Sequence, residues 1–132
     1  MSRLQLALTV SDVDAATEFY SRLFGAEPAK RRPGYANFAL SNPPLKLVLI
    51  EGAEGGTLNH LGVEVSAPEE VTDAIHRLNE AGLETRNEEG VECCYARQDK
   101  TWVTDPDGAP WEIYTVLGDA EVMEKTTGTC CV

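Results

Sequence analysis

Gln5-Leu-Ala-Leu-Thr-Val10-Ser11 and His60-Leu-Gly-Val-Glu-Val65-Ser66 follow the same pattern at a constant offset of 55 residues. Each stretch alternates like a strand and ends in a serine, and a carboxylate follows three residues later, at Asp14 or Glu69. A serine followed by a carboxylate at this spacing satisfies the unpaired N–H groups at the start of a helix. Both serines are therefore predicted to be helix N-caps in two copies of one unit.

The second half of each copy also repeats. Apolar residues at helical spacing lead to Gly25 in the first copy and to Gly82 in the second, where the helices are predicted to end. Strand-like runs follow, and the last of them, Pro44-Leu-Lys46-Leu-Val-Leu-Ile50, aligns with Pro110-Trp-Glu112-Ile-Tyr-Thr-Val116 at an offset of 66. Each copy thus consists of a strand, a helix and about three strands.

This pattern predicts an α+β fold of two tandem βαβββ modules, whose sheets pack into one cupped mixed sheet. The modules span about residues 3–52 and 58–117 of a single domain over residues 1–117, and residues 118–132 form a tail. The alternative is an ordinary α+β domain whose internal similarity is a coincidence.

Composition narrows the function classes. The chain has 132 residues and a formal net charge of −11, and such an acidic protein repels nucleic-acid phosphates and anionic lipid. No apolar run is long enough to span a bilayer, and the N-terminus lacks a signal-peptide pattern. We therefore expect a cytoplasmic protein that binds neither nucleic acid nor membrane.

The repeat also predicts a metal site. If the halves are related by a pseudo-twofold axis, Gln5 and His60 occupy equivalent positions, as do Lys46 and Glu112. A histidine and a carboxylate are ordinary ligands of a divalent transition metal, and Gln5 can add an amide oxygen. Protonated Lys46 cannot coordinate, which leaves open positions for a substrate. The alternative is that His60 is a hydrogen-bonded core residue.

Four cysteines form two adjacent pairs, Cys93-Cys94 and Cys130-Cys131. Adjacent cysteines bridge only through a strained ring, so we expect free thiols in a reducing compartment. Neighbouring thiolates suit a soft, thiophilic partner. The alternative for the first pair is two small residues at a strand entry with one inert, buried thiol.

Further motifs carry a family resemblance. His60-Leu-Gly-Val-Glu and Asp105-Pro-Asp-Gly-Ala-Pro-Trp-Glu112-Ile-Tyr resemble the vicinal oxygen chelate superfamily of glyoxalases, bleomycin-resistance proteins and extradiol dioxygenases. A closer resemblance, to the branch of cadmium-induced proteins and organoarsenical C–As lyases, is carried by five more motifs: Tyr35-Ala-Asn37-Phe-Ala, Pro43-Pro-Leu-Lys46, Cys93-Cys94-Tyr-Ala, Gln98-Asp-Lys100 and Cys130-Cys131.

The resemblance implies an Fe(II)-dependent enzyme that uses O2 to cleave the C–As bond of trivalent organoarsenicals such as methylarsenite or trivalent aromatic arsenicals, for arsenic detoxification. Other divalent metals such as Ni, Co or Mn are expected to occupy the site in vitro. Gln5, His60 and Glu112 are the implied metal ligands, and Cys93 and Cys94 the implied substrate clamp. Gln5 departs from the histidine usual in the wider superfamily, which bears on metal affinity.

Secondary roles are predicted for other residues. The polar stretch Asn87–Glu92 before the cysteine pair is expected to act as a mobile lid. Lys46 and Lys100 are both candidates to raise the positive potential at the site and favour thiolate, although for Lys100 a solvated surface charge is the expected outcome. Tyr114 shares the strand face of Glu112 and lines the cavity. Cys130 and Cys131 would capture or deliver arsenic or cadmium from the tail.

Two other functions fit the same residues. One is a cadmium- or arsenite-binding stress protein without turnover, for which the metal ligands are dispensable. The other is a glyoxalase-like isomerase, lyase or thiol transferase, although Lys46 stands where a fourth carboxylate ligand would be needed. Both a monomer and a homodimer are compatible with the sequence.

Overall fold

The computed structural model describes residues 2–121. Its elements run strand, helix and three strands, twice over. The first set is β1 (Arg3–Val10), α1 (Val13–Phe24), β2 (Lys30–Arg32), β3 (Tyr35–Ser41) and β4 (Pro44–Glu51). The second set is β5 (Thr57–Glu64), α2 (Pro68–Glu80), β6 (Arg86–Cys93), β7 (Ala96–Thr104) and β8 (Pro110–Asp119). The prediction of tandem βαβββ modules is confirmed.

The chain divides into two compact units, Arg3–Leu61 and the chain from Gly62 onward. The boundary falls inside β5, three residues before its end. His60 therefore belongs to the same unit as Gln5, although the repeat assigns it to the second module. Neither helix of the described part of the chain is long and apolar enough to cross a membrane. Cys130 and Cys131 lie outside the described residues.

In the unit Arg3–Leu61, α1 covers one face of the strands. β1 pairs in parallel with β4, and β3 pairs antiparallel with both β2 and β4. Because side chains alternate along a strand, one face packs against the helix and the other carries the intervening residues. The helix-side core contains Val13, Ala36, Phe38, Leu40, Leu47 and Leu49. Gln5 lies on the opposite face.

The start of α1 differs from the prediction by one residue. Asp12 is the N-cap, and its carboxylate accepts hydrogen bonds from the backbone N–H groups of Asp14 and Ala15 at 3.0 and 3.1 Å. The prediction of Ser11 is therefore wrong, since Asp caps as well as Ser and here lies closer to the helix. The predicted end at Gly25 is confirmed, with φ of 62° in the left-handed region.

The start of α2 is shifted in the same way. The residue before Pro68 is Ala67, so the predicted cap at Ser66 is wrong. The carboxylate of Glu70, rather than that of Glu69, accepts from the backbone N–H groups of Ser66 and Ala67 at 2.9 and 3.0 Å. This contact satisfies the backbone N–H groups of the two residues that precede the helix.

In the unit from Gly62 onward, β6, β7 and β8 form an antiparallel run, and α2 packs on β7 and β8. The stretch predicted as a mobile lid is not a loop but part of strand β6, and its movement stays a prediction. Its register with β7 shifts between Glu88 and Val91, and Gly90 donates its N–H to Asp99 Oδ1 at 2.7 Å. Gly90, which is typical of a loop in the sequence, is instead part of a β-bulge.

A two-residue turn joins β6 to β7. Cys93 pairs with Ala96, and between them Cys94 and Tyr95 have positive φ angles of 52° and 60°. Cys94 and Tyr95 are therefore the two central residues of a hairpin turn. Turns of this kind favour Asn-Gly because side chains with a Cβ are strained in the left-handed region. Cys94 thus sits on a strained, sharply reversing backbone.

Candidate functional site

Gln5 and His60 meet inside the unit Arg3–Leu61. Both side chains are buried, with 4% and 1% exposure, and their Nε2 atoms are 3.1 Å apart. The other imidazole nitrogen, Nδ1, lies 2.7 Å from Asn59 Oδ1. An amide oxygen only accepts, so Nδ1 carries a proton and donates it to Asn59. His60 Nε2 is then the lone-pair nitrogen, to which the Gln5 amide donates.

Asn59 is itself held in place, because its amide nitrogen donates to Thr9 Oγ1 at 3.2 Å. A fixed partner on Nδ1 is how proteins present the opposite nitrogen of histidine to a metal. Lys46 lies beside Gln5 on the neighbouring strand, since the two residues are direct partners in the β1–β4 ladder. The register predicted from the repeat thus brings Gln5 together with both His60 and Lys46.

Glu112 forms a buried ion pair in the other unit. Its Oε1 accepts from Lys100 Nζ at 2.7 Å, and the two side chains are 4% and 1% exposed. The prediction that Lys100 is a surface charge is therefore wrong. The carboxylate supplies the counter-charge that permits burial of the ammonium, and the rings of Trp102 and Tyr114 lie 5.4 and 5.9 Å from Nζ. These aromatic faces also attract the cation.

The same ammonium contacts sulfur. Lys100 Nζ lies 3.7 Å from Cys93 Sγ, which is 3.7 Å from Cys94 Sγ. Cys93 is completely buried, whereas Cys94 is half-buried and carries a free thiol. Lys100 therefore joins the predicted metal ligand Glu112 to the first cysteine of the predicted clamp.

Cys93 is disulfide-bonded in the structure. The expectation that this sulfur is a free thiol is therefore wrong for the described state. A disulfide sulfur has no proton to exchange and cannot act as a thiolate ligand. Any role of Cys93 in holding a thiophilic substrate thus requires reduction.

Tyr114 lies opposite Lys100 in the β7–β8 ladder and on the same face as Glu112. Its hydroxyl is 3.4 Å from Glu64 Oε1, and the residue is 1% exposed. Sequence reasoning missed Asn59 and Gln98, which contact His60 and Cys93 respectively. The available signals were the position of Asn59 next to the histidine and the two-residue spacing from Gln98 to Lys100, which places both on one strand face.

Two neighbouring side chains of the described residues, those of His60 and Gln5, have donor atoms that suit a divalent metal. Within residues 2–121 no group of three or more His, Cys, Asp or Glu side chains is gathered closely enough to hold a metal ion. The donors predicted from the repeat include an amide, which is not among those four types. In the tautomer that donates to Asn59, His60 offers Nε2 as a donor atom, and rotation of the Gln5 amide would turn its oxygen toward the same place. These are donors that a divalent transition metal accepts.

The model of the Glyoxalase/Bleomycin resistance protein/Dioxygenase superfamily matches residues 3–113, and the chain belongs to this superfamily. It is 65% identical over 124 residues to the cadmium-induced protein CadI of Mycobacterium tuberculosis (strain ATCC 25618 / H37Rv), covering 93% of this chain and 82% of the relative. It is 57% identical over 133 residues to the trivalent organoarsenical cleaving enzyme of Thermomonospora curvata, covering 99% and 88%.

The fold is also that of a solved enzyme structure. An extradiol ring-cleaving dioxygenase from B. fuscum superposes with a TM-score of 0.66 at 23% identity, over 90% of this chain and 34% of that chain. This chain therefore spans about a third of the dioxygenase. The match confirms the vicinal oxygen chelate fold that the tandem modules predict.

Proposed function

We propose that the chain is a C–As lyase that cleaves trivalent organoarsenicals such as methylarsenite or trivalent aromatic arsenicals, with Fe(II) as cofactor and O2 as cosubstrate. The observation that carries the proposal is the contact of Lys100 with both Cys93 and Glu112, which joins a sulfur ligand for arsenic to a carboxylate ligand for the metal. The relative from Thermomonospora curvata, whose name describes this activity, supports the same conclusion.

Gln5, His60 and Glu112 are the proposed metal donors, one amide, one imidazole and one carboxylate. The hydrogen bond between Nδ1 of His60 and Asn59 orients the ring and leaves Nε2 as the nitrogen proposed to bind the metal. Lys100 balances the charge of Glu112 before metal binds. Fe(II) supplies the activation of dioxygen. Three protein donors leave positions open for exogenous ligands, which this chemistry needs.

The reduced thiols of Cys93 and Cys94 are the proposed arsenic clamp. Each thiol condenses with one hydroxyl of methylarsenite, so two As–S bonds form and two water molecules leave. Trivalent arsenic is thiophilic, and sulfur atoms 3.7 Å apart need only a small rotation to share one atom. The clamp holds the arsenic and leaves its carbon substituent free for reaction. Holding the reactants in place is the main contribution of the protein.

Lys100 acts on both halves of the site. Its ammonium stabilises negative charge on the Cys93 sulfur when that cysteine is reduced, and it orients Glu112. Trp102 and Tyr114 exclude water around it, which strengthens both interactions. The need for reduced Cys93 favours a cytoplasmic location, where thiols are kept reduced.

The overall reaction balances with one molecule of dioxygen. Methylarsenite and O2 give arsenous acid and formaldehyde, in which the carbon is oxidised, the oxygen is reduced and arsenic remains trivalent. We expect the protein, loaded with Fe(II) under anaerobic conditions with a thiol-free reductant, to release arsenite when methylarsenite and air are added. Chromatographic arsenic speciation measures the product. Arsenite at the level of a metal-free control would overturn the proposal.

Binding of cadmium or arsenite without turnover is the second candidate, and the 65% identity to a cadmium-induced protein favours it. The two functions separate in cells challenged with arsenicals or cadmium. Loss of protection in both His60→Ala and Cys94→Ser supports the lyase. Loss in Cys94→Ser alone supports sequestration.

A further inference from the structure

Gln98 connects the buried interior of β7 to the cysteine turn. Its side-chain Nε2 donates to the backbone carbonyl of Cys93 at 2.9 Å, and the residue is 4% exposed. The other end of the amide, Oε1, is buried and has no hydrogen-bond partner among the residues that the structure describes. One amide group thus fixes the turn with its donor and leaves its acceptor unused.

An unused buried carbonyl is unfavourable, because folding removes it from water without a replacement hydrogen bond. An apolar side chain would fill the same space without that penalty. The position of Gln98 therefore calls for a hydrogen-bond donor that none of residues 2–121 supplies. The hydrogen bond to Cys93 holds the amide beside the turn, so the donor is expected in a molecule that binds there.

The surroundings narrow the chemistry of that molecule. Gln98 is two residues from Lys100 on the same strand and therefore shares its face. The half-buried Cys94 thiol lies on the adjoining turn, whose two central residues have positive φ. The Cys94 sulfur lies 3.7 Å from that of Cys93, and Cys93 contacts both Lys100 and the Gln98 amide, so a ligand bonded to Cys94 would approach an ammonium and a neutral acceptor. A thiophilic atom that also carries a hydroxyl group matches the thiol and the acceptor together.

We propose that Gln98 Oε1 accepts a hydrogen bond from the hydroxyl that a mono-organic trivalent arsenical keeps after it bonds to its first thiol; this rests on the proposed function. Cys94–SH and R–As(OH)2 give Cys94–S–As(R)OH and water, with one As–S bond formed and one As–O bond broken. The remaining hydroxyl donates to Oε1. Reduced Cys93 then displaces it as a second water molecule.

Gln98 is thus a positioning residue that selects the substrate class. A mono-organic arsenical keeps one hydroxyl after the first step, whereas a dimethylated trivalent arsenical keeps none. The hydrogen bond therefore favours arsenicals with a single carbon substituent, which are also those that two thiols can hold.

The test measures binding to Cys94 alone, in metal-free protein with a thiol-free reductant. In a Cys93→Ala background, intact-mass titration gives the affinities for methylarsenite and for dimethylarsinous acid. We expect added Gln98→Leu to weaken methylarsenite binding about tenfold, the equivalent of one neutral hydrogen bond. The affinity for dimethylarsinous acid, which leaves no hydroxyl, should be unchanged.

The dimethylated compound controls for loss of the hydrogen bond to Cys93, because a loosened turn would weaken both adducts alike. Equal weakening of both compounds, or no weakening of methylarsenite, overturns the assignment while the lyase proposal stands. If the Cys93→Ala parent binds neither arsenical, Cys94 is not a clamp residue, and both the clamp and the assignment of Gln98 are wrong.

Discussion

Asn59 Oδ1 lies 2.7 Å from His60 Nδ1, and this contact orients the imidazole ring so that Nε2 faces Gln5. The histidine is buried, so water cannot replace Asn59 if that side chain is removed. The orientation of His60 thus depends on a residue that is not itself a proposed ligand.

Asn59→Leu is expected to weaken binding of Fe(II) or Co(II) by about 10–100-fold, the range found when the partner of a metal-ligating histidine is lost. Titration of the metal-free protein against a competing chelator measures this. Asn79→Ala changes an exposed asparagine near the end of α2 and serves as the control. Equal metal affinity in the wild type and Asn59→Leu would contradict the role given to Asn59.

Lys100→Met is expected to lower the free energy of unfolding of the metal-free protein by about 3–5 kcal/mol, because it leaves Glu112 buried without a counter-charge. Adding Glu112→Gln should recover much of the loss. Urea denaturation followed by circular dichroism measures both effects. Arg22→Met removes an exposed ion pair with Glu18 and should change stability by less than about 1 kcal/mol. A Lys100→Met loss as small as this control would argue against a buried pair.

Cys94→Gly is expected to raise the free energy of unfolding by about 1 kcal/mol, because glycine adopts the observed positive φ without strain. Cys94→Val should lower it, since a β-branched side chain is disfavoured in this region. Denaturant midpoints of the two variants, measured under identical redox conditions, give the comparison. If Cys94→Val were more stable than Cys94→Gly, residue 94 would not have a positive φ angle.

Asp12→Ala is expected to destabilise the protein by about 1 kcal/mol through loss of the α1 N-cap. Ser11→Ala should have little effect, because the hydrogen bonds to the first turn come from Asp12. Thermal or urea unfolding of the two variants distinguishes them. If Ser11→Ala lowered the free energy of unfolding more than Asp12→Ala does, Ser11 would be the N-cap.

The internal repeat made much of this architecture predictable. Equivalent positions in two copies predicted that Gln5 and His60 have related environments, and their side chains are in contact. The helix caps were predicted one residue away from their true positions, because Ser11 and Asp12 are both good caps and the pattern does not rank neighbours.

The errors concern residues whose environment depends on the next strand. Lys100 resembles any surface lysine until β8 places Glu112 within 2.7 Å of it. Gly90, among polar residues, resembles a loop signal, but pairing with β7 turns it into a bulge within a strand. The disulfide bond of Cys93 depends on tertiary structure and has no signature in the local sequence.

The Lys100–Glu112 ion pair bears on whether folding precedes metal binding. In small zinc domains the ligands repel one another and stay unfolded until the ion arrives. Here the carboxylate already has an internal cation, so the polypeptide can complete folding first and acquire the proposed metal as a separate, later event. Scarcity of that metal would then leave a stock of folded protein that awaits activation.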